Sequence, residues 1–150
     1  TGWYNDEHTD TTNGNPVVRH FPVNVADLAT VSPSGEVGLG AALTYAGGDA
    51  DSLGRQPTTA PCATGQSLFT KDGNRWTGTI WKRLQFGLDK AHYFQYYYAS
   101  SGTGGSSVYL VAGRADLDCD GTYSDYRLRG NVNAAGEVER SNIVKRDPLE

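Results

Sequence analysis

The sequence predicts an α+β domain, an antiparallel meander of about four strands packed on a short helix behind a long N-terminal loop region. Three observations lead there. The 150 residues are the ordinary size of one domain with one core. The composition holds nineteen Gly and nine Tyr but no Met, and is poor in the Leu, Glu, Lys and Ala that long helices use. Apolar spacing also changes along the chain, from irregular to helical and then to strand-like.

Each element follows in order. Residues 1–10, TGWYNDEHTD, place Trp3 and Tyr4 beside polar residues and read as the last turns of a helix whose body lies upstream. Residues 11–74 are punctuated by Asn13-Gly14, Pro16, Pro22, Pro33, Gly47-Gly48, Pro57 and Pro61, so loop dominates, with short strands at residues 17–21 and 39–45. A loop region this long needs a function or a pin. In residues 74–86, NRWTGTIWKRLQF, Trp76, Ile80 and Leu84 recur at helical spacing with Trp81 beside them, which predicts an amphipathic helix that Gly78 weakens. Strands are then expected at residues 91–99, 108–118, 122–128 and 137–145, where aromatic and β-branched residues lie between Gly-rich and Asp-Gly turns. In the first of these, His92, Phe94, Tyr96 and Tyr98 share one face and Tyr93, Gln95 and Tyr97 the other. One face should pack on the helix, the other on a loop or a neighbouring subunit.

The net charge of −4 is spread along the chain without a basic stripe, so nucleic acid is not an expected partner. No apolar run reaches the roughly 18 residues that would span a bilayer, and no basic region with an apolar core opens the sequence.

Cys62 and Cys119 are the only cysteines, in no metal-ligand spacing. A disulfide between them is the simplest use and implies an oxidising compartment; two unrelated buried thiols are the alternative. Residues 116–125, DLDCDGTYSD, carry the sharpest local signal. Asp116, Asp118 and Asp120 at alternate positions before Gly121 match the start of a calcium loop, with the Thr122 carbonyl and Ser124 at the next ligand positions. Arg127 stands where a closing bidentate acid belongs, and Asp125 is the candidate to close a shorter loop. The alternative is a plain hairpin with an Asp120-Gly121 tip. His8, His20 and His92 sit in unrelated contexts, and no nucleophile or phosphate-loop motif occurs. No enzyme is expected.

The succession WKRLQF, YFQYYY, AGRADLDCDGTYSDY and IVKRDPLE, within residues 76–150, resembles the C-terminal region of type IV pilin-like proteins of delta-proteobacterial type. Cys119 replaces the usual glycine of the turn, Arg114 and Ala115 alter the residues before the first Asp, and the N-terminal leader, apolar helix and early glutamate of pilins are absent. The resemblance implies a single type IV pilin-like head over residues 1–150, with its stalk helix trimmed or supplied by a separate chain. It further implies an extracellular filament subunit, major or minor, serving adhesion or motility through self-assembly with other pilin subunits. Contact with a membrane would then come only through the stalk helix before assembly. Calcium-binding pseudopilins, as relatives, add weight to Ca2+ at Asp116, Asp118, Asp120, Thr122 and Asp125. Two readings remain beside it: a secreted carbohydrate-binding or adhesin β-domain using Trp3, Trp76, Tyr93 and Tyr97, and a small extracellular hydrolase.

Overall fold

The computed structural model describes residues 21–22, 55–57, 62–63, 65–70, 76–77 and 79–147. The strands expected at residues 17–21 and 39–45 and the helical end at residues 1–10 lie outside these, Phe21 excepted. The described region is one antiparallel sheet with one short α-helix. Its strands are β1 (Arg55–Gln56), β2 (Gln95–Ser101), β3 (Val108–Ala115), β4 (Ser124–Val132), β5 (Val138–Arg140) and β6 (Val144–Arg146). They pair in the order β1-β2-β3-β4-β5, and β6 also pairs with β4.

This overturns the expected fold class. Among the described residues of 74–86 the helix is six residues long, α1 (Thr79–Leu84), and the described region is mostly β rather than the α+β architecture of a pilin head. The helix is short for local reasons. Thr77, Gly78 and Thr79 are poor helix formers, and Trp76 lies in a turn before the helix. At the other end Gln85 takes a left-handed φ of 53°. Phe86 N–H then donates to the Trp81 carbonyl at 3.0 Å and Gln85 N–H to that of Lys82 at 3.1 Å, a Schellman ending that caps the orphan carbonyls. The Phe86 ring packs 5.6 Å from that of Trp81, supplying the apolar clasp of the motif.

The meander itself follows the sequence pattern with shifted ends. Tyr97, Ala99, Val108, Leu110 and Ala112 form a buried cluster on one face of β2 and β3. On the other face Tyr98 packs with Ile80 and Trp81 of α1, flanked by Trp76, Leu84, Tyr96, Tyr109 and Val111. The single strand expected at residues 137–145 is instead two. β5 lies opposite Gly130–Val132 and β6 opposite Asp125–Arg127, so residues 141, 142 and 143 span residues 128 and 129 of β4. That surplus residue is the count of a β-bulge, which ends regular pairing and bends the edge. Ser141 holds the gap closed: its N–H donates to the Arg129 carbonyl at 2.7 Å, and its Oγ accepts from Arg129 N–H at 3.1 Å.

Beside α1 the sheet leaves an open apolar trough of about 440 Å³. Gly113 forms its floor, because Tyr96, Gly113 and Tyr126 are aligned across three strands and the middle one has no side chain. Phe94 and Tyr126 meet edge to face above it at 5.8 Å, and Val111, Leu128 and Ile143 continue the lining.

Candidate metal centre

β3 and β4 end at the Ala115–Ser124 pair, so residues 116–123 form a wide loop rather than a two-residue hairpin. Asp116 leaves β3 pointing inward and is 2% exposed. Its Oδ2 accepts the Gly121 N–H at 3.2 Å, drawing the far side of the loop back over it. Asp118 and Asp120 each fold a local turn: Asp118 Oδ1 accepts from Asp120 N–H at 3.3 Å, and Asp120 Oδ1 from Thr122 N–H at 2.6 Å. The three carboxylates converge, each offering an oxygen within 4.8 Å of the others.

The loop is stapled at its middle. Cys62 and Cys119 form a disulfide with Cα atoms 5.4 Å apart, which is the pairing the sequence favoured. Both residues have left-handed backbone, φ 57° at Cys62 and 65° at Cys119, a conformation that glycine adopts most readily. The Cys62 sulfur also lies 3.0 Å from the Asp116 carbonyl oxygen, so the staple backs directly onto the loop.

Of the residues expected to bind a cation, the structure gathers Asp116, Asp118 and Asp120. Thr122 contributes its N–H to Asp120. Asp125 sits apart on β4, where Arg127 holds it through Nε at 3.1 and 3.0 Å and through Nη2. Arg127, at the closing position of an EF-hand count, thus occupies the neighbouring acid. The burial of Asp116 had no sequence signal beyond its place at the end of a buried strand.

Of the described aromatic residues considered for glycan binding, Trp76 and Tyr97 are packed. Trp76 meets Trp81, Phe86 and Tyr96 edge to face at 5.1 to 6.0 Å, and Tyr97 is 4% exposed. Tyr93 is 47% exposed; Trp3 lies outside the described residues. His92 stacks among Phe69, Trp76 and Tyr96, while His8 and His20 lie outside the described residues. No helix of the described residues is long and apolar enough to cross a membrane. Compared with protein-family models, with curated proteins and with solved structures, the chain matches none.

Proposed function

We infer that this chain is a non-catalytic domain displayed outside the cell as a subunit of a pilus-type filament. The observation that carries the extracellular part is the Cys62–Cys119 disulfide, because such bridges form and persist in oxidising surroundings. The filament part draws on the resemblance of residues 76–150 to pilin-like sequences, not on a pilin fold, which the described region does not have. The apolar trough lined by Phe94, Tyr126, Leu128 and Ile143 offers a small recess for one contact between subunits. Ile143 stands 56% exposed at its rim, where a neighbouring subunit or a separate stalk-helix chain would cover it. Assembly through a stalk helix also relaxes the demand on each contact between heads, because tethering raises their effective concentration.

The experiment is to place a benzophenone amino acid at position 143 in the native organism and irradiate intact cells. Cross-linked oligomers in sheared surface filaments, labelled by antibody to this domain, are expected. Recovery of the protein only as uncross-linked monomer in the medium, with no labelled filament, would overturn the reading.

A further inference from the structure

We propose that the loop 116–123 binds a calcium ion through the carboxylates of Asp116, Asp118 and Asp120. The site stands on its own residues and goes beyond the filament reading. Two carboxylate oxygens that share one Ca2+ at about 2.4 Å are at most about 4.8 Å apart. The three carboxylates meet that limit, the condition each pair must satisfy to share one ion.

An acidic cluster on a surface would not by itself say this. Asp116 supplies what the cluster lacks, because it is buried to 2% exposure and its Oδ1 has no hydrogen-bond partner. A buried carboxylate oxygen without a donor or a cation is unfavourable, and native structures rarely leave one so. Among the described residues no cation fills the role: Arg127 is committed to Asp125, Arg114 lies 4.7 Å over the Tyr123 ring, and the three carboxylates enter no ion pair. A metal ion would both complete the Asp116 coordination and relieve the repulsion among three converging acids.

The chemistry of the donors selects the ion. All are hard oxygens, and both cysteines are spent in the disulfide, so a soft or borderline metal finds no preferred ligand. The loop is held by Gly121 N–H on Asp116, Asp120 N–H on Asp118 and Thr122 N–H on Asp120, which positions each carboxylate through one oxygen. Such an incomplete shell, finished by water, suits Ca2+ with its six to eight ligands better than Mg2+, which demands near-ideal octahedral geometry. With no bidentate acid to close it, the affinity belongs to the weak extracellular class, roughly 10⁻⁴ to 10⁻³ M.

The test uses the intact oxidised chain stripped with EDTA. Titration calorimetry with calcium chloride should show one site in that range, and 20 mM Ca2+ should raise the Tm by roughly 3 to 10 °C by mass action. Magnesium chloride at matched ionic strength should do less. Asp118→Asn and Asp120→Asn, both at exposed positions, should keep the fold and weaken calcium binding at least about tenfold; Asp116→Asn should do the same where it folds. The proposal is overturned by the absence of binding heat and Tm shift at 20 mM Ca2+, by an equal response to Mg2+, or by wild-type calcium affinity in both exposed variants.

Discussion

Cys119 sits in a backbone region that costs an L-residue about 1 to 2 kcal/mol, and Cys62 shares that conformation. The bridge offsets the cost, since closing a loop with a sequence separation of 57 contributes about 4 kcal/mol in the chain-entropy model. The two contributions separate experimentally. With the bridge removed, the pair Cys62→Gly and Cys119→Gly should be more stable than Cys62→Ala and Cys119→Ala by about 1 to 2 kcal/mol in urea denaturation, the reverse of the usual order of Gly and Ala. Equal stabilities would mean that the loop relaxes once released. Tyr98 makes a second case at this scale. Burial raises its phenol well above the usual value near 10, with Tyr109 adding to the effect and Ser100 opposing it. Burial also raises Tyr96 and Tyr109. Below pH 10 these phenols are neutral in both folded and unfolded chains. Above it the unfolded chain releases protons that the folded one retains, so stability falls as pH rises, by up to about 1.4 kcal/mol per pH unit per group. Urea midpoints at pH 8 and pH 10.5 should show the loss, and Tyr98→Phe should blunt it. The variant keeps the Pro22 carbonyl satisfied, because Ser100 Oγ also donates to it.

At the scale of the element, the helix and the last strand show what sequence reading captures and what it misses. The spacing of Trp76, Ile80 and Leu84 correctly marks an apolar face, and Ile80 and Trp81 are buried on the sheet. Spacing does not reveal length, which the left-handed Gln85 fixes; no glycine stands at position 85 to announce the stop. Gln85→Gly should therefore stabilise the protein by about 0.5 to 1 kcal/mol, read as a rise in the urea midpoint at unchanged m-value. A loss of stability would show that the Gln85 side chain contributes more than its backbone costs. The bulge at residues 141–143 was equally illegible, because a surplus residue leaves no mark when polar and apolar residues already alternate weakly. β1 leaves no sequence signature, because two residues carry no period at all. By contrast β2 and β3 were readable: β2 carries three consecutive tyrosines and ends before Gly102, and β3 carries Val108, Tyr109 and Val111 and ends before Asp116.

For the whole molecule, the carboxylates and the disulfide of the candidate site were legible from motif and count, whereas their relation was not. Only the fold brings Cys62 against the loop that holds Asp116, and only burial leaves Oδ1 of that residue without a donor. The bridge also has a mechanical meaning. Tension passing along the polypeptide crosses from residue 62 to residue 119 through sulfur, so α1, β2 and β3 carry no pulling load. About 200 Å of contour, at about 3.5 Å per residue over a separation of 57, is withheld from extension while the bridge is oxidised. A fibre built from such units would lengthen by yielding its flanks, and its aromatic centre would survive the pull.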